Sequence, residues 1–427
     1  MAPQSSAAAP YGLIGHPLGH SWSPQIHARL GSVPYDLHDL DEKGAEDLIL
    51  RGAWRGLNVT IPHKRLAAGL ADERSSRVDA LGVANTLVRR PDGSIFAENT
   101  DVLGFSLMLE RFFLREHGVA PSELLANRTA LVLGSGGASR AVRAALEETG
   151  ARVVVVSRSG NETYEGLVDR RADAVLIVNT TPVGMFPACP SSPLDEETLA
   201  SFHGLLGVLD VVYNPCRTGL CLAAERLGIP SESGLAMLVG QALFASELFQ
   251  ARALDRGLVG AIEREIRLQT QNVVLIGMPG AGKSSCGRAL ARLLGRPFVD
   301  IDDALELECG RSAAQIIRED GEDAFRSVET AVTGSYGARS GLVIACGGGV
   351  VTRPENYDLI HQNGLIVFLD RPIEELSSSG RPVSQAKGVE RLAEERMGLY
   401  RAWADLTVRC TGSAEGDAEA VRGLFIG

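Results

Sequence analysis

Residues 277–284, GMPGAGKS, restrict the fold of this chain more than any other stretch. They spell Gly-x-x-x-x-Gly-Lys-Ser, follow the apolar run NVVLI and precede CGRALARLLG, whose apolar residues recur at helical spacing. A strand, a glycine turn and a helix in that order let backbone amides and a helix N-terminus close around a phosphate. A βαβ unit of a parallel α/β sheet is therefore expected from about residue 272 onward. Gly277, Gly280, Ala281, Gly282, Lys283, Ser284 and Ser285 form the expected cradle for ATP. Lys283 would reach the β- and γ-phosphates and the Ser284 hydroxyl a Mg2+ ion.

The chain has 427 residues, and a single core stops growing near ~250–300 residues, so more than one domain is required. A second strand–turn–helix pattern lies at TALVLGSGGASRAV, where Gly134, Ser135, Gly136, Gly137 and Ala138 separate an apolar strand from a helix expected to begin near Ala138. Such a turn brings backbone amides to a dinucleotide pyrophosphate. The next strand, ARVVVVSRS, ends at Ser157, Arg158 and Ser159, where an NAD-preferring fold usually carries an acid for the ribose hydroxyls. No acid occurs there, and the Arg158 guanidinium suits a 2′-phosphate, which favours NADP. A third glycine-rich turn lies near YGLIGHPLGHSWSP.

Composition excludes several other classes. With 45% hydrophobic and 22% charged residues the chain reads as globular, and a net charge of −11 argues against nucleic acid or an anionic membrane surface as partner. Cys189, Cys216, Cys221, Cys286, Cys309, Cys346 and Cys410 contain no Cys-x-x-Cys pair, which points to a reducing cytoplasm rather than to a disulfide framework or zinc. The opening MAPQSSAAAPYG lacks the basic and apolar regions of a secretory leader, and no run reaches the ~18 apolar residues of a membrane span.

Polar residues cluster near the glycine turns. Ser21 and Ser23 stand two apart, where an extended backbone points both hydroxyls one way; the alternative is a turn or helix cap before Pro24. NVTIPHK ends in Thr60, Pro62, His63 and Lys64, GVANT offers Asn85 and Thr86, and ENTD offers Asn99, Thr100 and Asp101. A lysine beside an aspartate can relay a proton to a substrate hydroxyl or carbonyl, whereas an isolated Lys/Asp pair is more often an exposed ion pair. Farther on, PFVDIDDALELECGRS puts Asp300 and Asp302 on alternate positions of an expected strand end. GEDAFRSVE supplies Arg326 and Glu329, ACGGGVV supplies Gly347, Gly348 and Gly349, and ERMGLYRAWAD supplies Arg396. Each arginine taken alone reads as a surface ion pair. His117, His203 and His361 have no partners at ligand spacing and read as structural or surface residues.

GHPLGHSWSP, NVTIPHK, GVANT, ENTDVLG, GSGGASRA, NTTPVGM, DVVYNP and GLAMLVGQA occur here in the order found in shikimate dehydrogenases, and the chain resembles that family from about residue 11 to 255. The resemblance implies that Lys64 and Asp101 are the catalytic pair and that Ser21, Ser23, Thr60, Asn85, Asp101, Tyr213 and Gln241 bind the substrate. It places Met185 and Tyr213 near nicotinamide and substrate, and adds Gly234 to the cofactor-binding set. The chain departs from the family's usual Gly-Ala-Val-Asn-Thr by reading Gly82-Val83-Ala84-Asn85-Thr86, which leaves Asn85 in register.

From about residue 272 to the end the chain resembles shikimate kinase through the cradle, the Asp300/Asp302 segment, the triple glycine and the Arg396 helix. The resemblance implies that Lys283 and Asp302 are catalytic, that Asp302, Arg326, Gly347, Gly348, Gly349 and Arg396 bind shikimate, and that Asp300 supports Mg2+ through water. Arg381 of the short stretch SSSGRPVSQAKG corresponds to the lid over ATP.

Together these readings predict a discontinuous catalytic α/β domain of residues 1–105 plus 233–255, an NADP-binding Rossmann domain inserted at 106–232, a polar connector at 256–271, and a P-loop kinase domain at 272–427. The expected activity is bifunctional: NADPH-dependent reduction of 3-dehydroshikimate to shikimate, then phosphorylation by ATP to shikimate 3-phosphate. Two alternatives stand beside it. One half could be a catalytically weak nucleotide-binding regulatory module, or the dehydrogenase could also use quinate. The sequence leaves the oligomeric state open.

Overall fold

A computed structural model describes residues 10–19, 21–376 and 388–426. Three sheets organise them. The first contains β1 (Tyr11–Gly15), β2 (Tyr35–Asp39), β3 (Gly56–Val59), β4 (Glu73–Arg74), β5 (Thr86–Arg89) and β6 (Ile95–Glu98), in the order β2-β1-β3-β5-β6-β4. β1 pairs in parallel with β2 and β3, while β5 runs antiparallel to β3 and β6. The second contains β7 (Thr129–Leu133), β8 (Arg152–Val156), β9 (Ala174–Asn179), β10 (Gly207–Asp210) and β11 (Ser231–Glu232), all parallel, in the order β11-β10-β9-β7-β8. The third contains β12 (Asn272–Ile276), β13 (Phe298–Asp300), β14 (Val343–Ala345), β15 (Gly364–Asp370) and β16 (Leu406–Arg409), again parallel, in the order β13-β14-β12-β15-β16.

The apolar runs explain the central strands. β7 (TALVL) and β12 (NVVLI) are buried at every position, as a parallel strand covered on both faces must be. In both parallel sheets the strand carrying the glycine turn lies inside, and the chain crosses to opposite sides of it. This creates the crevice at the carboxyl ends where such folds take ligands.

The described residues form two compact units: Met1–Pro182 with Pro193–Tyr213 and Ala223–Arg264, and Val183–Ser192 with Asn214–Leu222 and Glu265–Gly427. The second unit thus takes in 183–192 and 214–222 as well as the stretch from Glu265 onward. Within the second unit the Cys216 N–H donates to Asn363 Oδ1 at 2.8 Å and the Arg217 N–H to the Gln362 carbonyl at 2.8 Å, which tie the 214–222 segment to the rest. Residues 256–271 hold the helix Gly257–Thr270, in which Val259, Ile262 and Ile266, spaced for one helical face, are buried.

In the first unit the apolar segment GLAMLVGQALFASELF becomes the helix Leu235–Gln250, which packs along the helix Thr100–His117. Their backbones come so close that a Cβ on Gly104 would lie 2.7 Å from the Met237 carbonyl oxygen. The same helix is tied to Ser23–Leu30 through a buried His27, whose ring bonds Ser246 Oγ at 3.1 Å; burial lowers the His27 pKa to about 3, so the ring is neutral. Among the described residues no helix is long and apolar enough to cross a membrane.

Candidate active sites

In the first unit the polar residues singled out from sequence converge at the carboxyl end of β3. Thr60 follows that strand, and Lys64 opens the helix Lys64–Leu70. Its ammonium donates to Asp101 Oδ2 at 2.5 Å, and Asp101 stands in the first turn of Thr100–His117. Asn85, immediately before β5, fixes that carboxylate from the other side: its amide donates to Asp101 Oδ1 at 2.9 Å and its Oδ1 accepts from the Thr100 N–H at 2.7 Å. Gln241 Oε1 lies 3.5 Å from the same Asn85 amide, and its own amide donates to the Leu238 carbonyl. Lys64 and Asp101 are both less than a quarter exposed, so they are not the free surface pair of the bland reading.

Ser21 and Ser23 require a correction of geometry. They do not lie on one extended stretch: Ser23 is the first residue of Ser23–Leu30, and its N–H donates to Ser21 Oγ at 3.2 Å. The turn preference of Ser-x-Ser-Pro prevailed over strand alternation. Sequence reading missed two neighbours. Asn58, buried on β3, accepts from the Tyr35 hydroxyl at 2.9 Å and donates to Thr86 Oγ1 at 3.3 Å. Asn58 stands in the quoted NVTIPHK, so alternation with Thr60 was the available signal.

At the parallel sheet, Gly134 has φ +103°, and a Cβ there would meet Thr181 Cγ2 at 2.8 Å. Gly136 and Gly137 have open space where a side chain would project, and the helix Gly137–Glu148 starts without a side-chain cap. Ala138 is in its first turn and Ser135 is exposed. Ser157, Arg158 and Ser159 follow β8, with the Arg158 side chain exposed. At the carboxyl ends of β9 and β10 the buried Asn179 amide donates to both Asp210 carboxylate oxygens at 3.0 Å, which braces the strand ends. Gly234 is required by packing, since a Cβ would lie 2.1 Å from the Val211 carbonyl oxygen. Tyr213 closes a segment of the first unit, and burial raises its phenol pKa; Met185 belongs to the second unit.

In the second unit Gly277, Gly280 and Gly282 all have positive φ, and Lys283 and Ser284 open the helix Lys283–Leu294. The buried Lys283 ammonium donates to the Gly277 and Met278 carbonyls at 2.8 and 3.0 Å. Beside this loop lies a cleft of about 400 Å³ lined by Ser284, Ser285, Asp300, Asp302, Arg326, Glu329, Gly347–Gly349 and Arg396. Asp302 lies in the first turn of the helix Ile301–Cys309, which corrects its expected place on the strand end; Asp300 ends β13, caps that helix and accepts from the Asp302 N–H at 3.1 Å. Water reaches Asp302 through the cleft, but the cleft walls displace much of its hydration. That desolvation, with the negative charges of Asp300 and Glu329, pushes its carboxyl up to about 6 against the opposing pull of Lys283.

The triple glycine is explained by what faces it. A Cβ on Gly347 would stand 2.6 Å from Glu329 Oε1, one on Gly348 2.6 Å from Pro279 Cγ, and one on Gly349 2.1 Å from Arg326 Nη1. Arg326 and Arg396 are 6% and 3% exposed, so both are interior cations. Arg326 Nη1 donates to Glu329 Oε2 at 2.6 Å, and Arg396 Nη1 and the Tyr400 hydroxyl donate to the Gly348 carbonyl, the former at 3.0 Å. Glu329 Oε1 and Arg396 Nε are buried and have no hydrogen-bond partner among the described residues. Glu329, three residues after Arg326 on one helix, lines the same cleft, and sequence reading gave it no role. Arg381 lies outside the described residues.

Comparison with known proteins decides the family. A shikimate dehydrogenase (NADP(+)) of Clostridium perfringens is 33% identical over 279 residues, covering 60% of this chain and 98% of that protein. The chain belongs to the shikimate dehydrogenase family. Residues 13–87 match the shikimate dehydrogenase substrate binding domain, and residues 279–422 match shikimate kinase, so a kinase domain follows the dehydrogenase in one chain. Among solved structures, a chorismate mutase/shikimate 5-dehydrogenase fusion protein of Clostridium acetobutylicum is 33% identical with a TM-score of 0.54, covering 60% of this chain and 96% of that one. A quinate dehydrogenase of Corynebacterium glutamicum, solved with NAD, is 29% identical with a TM-score of 0.52, covering 60% and 97%. The homologue names support NADP as the dehydrogenase cofactor, and the kinase domain implies ATP.

Proposed function

We propose that this chain reduces 3-dehydroshikimate to shikimate with NADPH and phosphorylates shikimate to shikimate 3-phosphate with ATP. The observation carrying the first step is the Lys64–Asp101–Asn85 arrangement. Bound NADPH supplies the hydride. Lys64 Nζ gives a proton to the carbonyl oxygen as it becomes a hydroxyl, while Asp101 holds the ammonium in place and Asn85 holds Asp101. Ser21, Ser23, Thr60, Tyr213 and Gln241 would orient the substrate. Gly134–Ala138 and Ser157–Ser159 would hold the dinucleotide, with Arg158 on the 2′-phosphate.

For the kinase the carrying observation is the cleft that brings Asp302, Arg326 and Arg396 to the phosphate loop. The two arginines would hold the shikimate carboxylate, and Asp302 would orient the attacking hydroxyl and accept its proton. Among the described residues no three His, Cys, Asp or Glu side chains converge as a metal-binding group. The residues present nevertheless fit Mg2+, which commonly takes one or two protein ligands plus phosphate oxygens and water. Ser284 and, through water, Asp300 would hold it, and the repulsion that raises Asp302 is the kind a cation relieves. Mg2+ would supply charge neutralisation at the phosphates.

The test is single-site inactivation within the whole chain. Lys64→Ala should lower reduction of 3-dehydroshikimate by roughly 10²–10⁴-fold, the usual worth of a general acid, and leave phosphorylation of added shikimate intact. Near-normal reduction would remove Lys64 from its role. Quinate is the second substrate to assay, because the quinate dehydrogenase also matches this chain.

A further inference from the structure

In the third sheet Lys283 follows β12, Asp302 follows β13 and Gly347–Gly349 follow β14. The carboxyl ends of β15 and β16 hold a separate polar group behind the phosphate loop. Arg371 follows β15, and its Nε donates to the carbonyl of Ala281, inside GMPGAGKS, at 3.2 Å. Its Nη2 lies 3.5 Å from Asp417 Oδ2 and its Nη1 3.7 Å from Glu375 Oε2. Asp417, in the first turn of the helix Ala414–Ile426, is 1% exposed and is fixed by the Thr411 N–H at 2.5 Å and the Thr411 hydroxyl at 2.9 Å. Ala281 is fully buried, and Cys410 Sγ lies 3.8 Å from the same carbonyl oxygen.

A trans peptide carries its carbonyl and its N–H on opposite sides. Drawing the Ala281 carbonyl toward Arg371 therefore turns the Gly282 N–H the other way, toward the concave face where backbone amides receive phosphate. Gly282, on the C-terminal side of this peptide, has φ +92° and Gly280, one residue before Ala281, has φ +91°, so glycines bracket the Ala281 turn and an external restraint fixes the peptide. Arg371 supplies no net positive charge to the site, because the carboxylates of Asp417 and Glu375 lie against it.

We infer that Arg371, anchored by Asp417, is a positioning residue that locks the Ala281–Gly282 peptide of the phosphate loop in its ATP-receiving orientation. This rests on the reading of that loop as the ATP site.

The experiment measures both activities of the intact chain in Arg371→Met, Arg371→Lys, Asp417→Asn and Lys283→Ala. Arg371→Met should raise the kinase KM for ATP about tenfold, the worth of one charge-assisted hydrogen bond, with the KM for shikimate and the dehydrogenase turnover unchanged. Asp417→Asn should raise the KM for ATP in the same direction. If Arg371 instead touched ATP directly, releasing it from Asp417 would lower that KM, which would overturn the inference. A KM for ATP within twofold of the original in Arg371→Met would overturn it too. Should Arg371→Met fail to melt cooperatively, Arg371→Lys decides by the same measure, with a KM for ATP raised at least threefold expected and an unchanged one contradicting. Lys283→Ala separates the underlying reading: if it retains full kinase activity, the loop is not the ATP site at all.

Discussion

Gly349→Ala is the sharpest steric test of the shikimate clamp. Gly349 has φ −97°, a backbone conformation open to alanine, so any effect comes from the methyl group itself. That methyl would stand 2.1 Å from Arg326 Nη1 and 2.3 Å from both Cζ and Nη2. Ordinary contact begins near 3.4 Å, so the guanidinium must retreat by more than 1 Å. It has little room to do so, because Nη1 is bonded to the buried Glu329 at 2.6 Å and Nη2 to Glu322 at 3.3 Å. A displacement of about 1 Å in a positioning group can cost about 10²-fold in rate. The kinase kcat/KM for shikimate should therefore fall by about two orders of magnitude, mainly through KM, while the KM for ATP and the dehydrogenase turnover stay near their original values. Initial-rate kinetics with shikimate varied at saturating ATP would show it. A kcat/KM for shikimate within threefold of the original would refute the assignment of Arg326 to the clamp.

Other outcomes follow from the same geometry. Arg158→Ala should raise the KM for NADPH and narrow its advantage over NADH; an unchanged cofactor ratio would show that another residue reads the 2′-phosphate. Because burial and neighbouring acids hold the Asp302 carboxyl at about 6, kinase kcat/KM in the free enzyme should be lost as pH falls through about 6 and recovered above it. Removing a negative neighbour stabilises the carboxylate, so Asp300→Asn should move that acid limb to lower pH; movement to higher pH would contradict the electrostatics. Asn85→Ala should depress dehydrogenase turnover without touching the kinase, since Asn85 bonds both Asp101 and Thr100; full activity would remove it from the site.

The fold class was legible because two strand–glycine–helix patterns are local in sequence, and β7 and β12 carry the unbroken apolar runs of covered parallel strands. Turn chemistry at Ser21–Ser23 and the helical start at Asp302 were misplaced by one element type, because a period of two also fits short turns and a helix's first turn. Val259, Ile262 and Ile266 were passed over since their charged neighbours dominate the composition of that segment. The pairing of Arg326 with Glu329 could be suspected from i,i+3 spacing, but the convergence of Arg371, Thr411 and Asp417 on Ala281 joins residues from three separate stretches. No local pattern announces such a group.

The most direct test of the two-activity account is one purified chain supplied with 3-dehydroshikimate, NADPH, ATP and Mg2+, with product followed by mass. The account predicts shikimate 3-phosphate from the unaltered chain, accumulation of shikimate alone from Lys283→Ala, and unconverted 3-dehydroshikimate from Lys64→Ala until shikimate is added, when the phosphate ester appears. Failure of the unaltered chain to form shikimate 3-phosphate while still reducing 3-dehydroshikimate would contradict it, and would make the second unit a nucleotide-binding module without kinase activity.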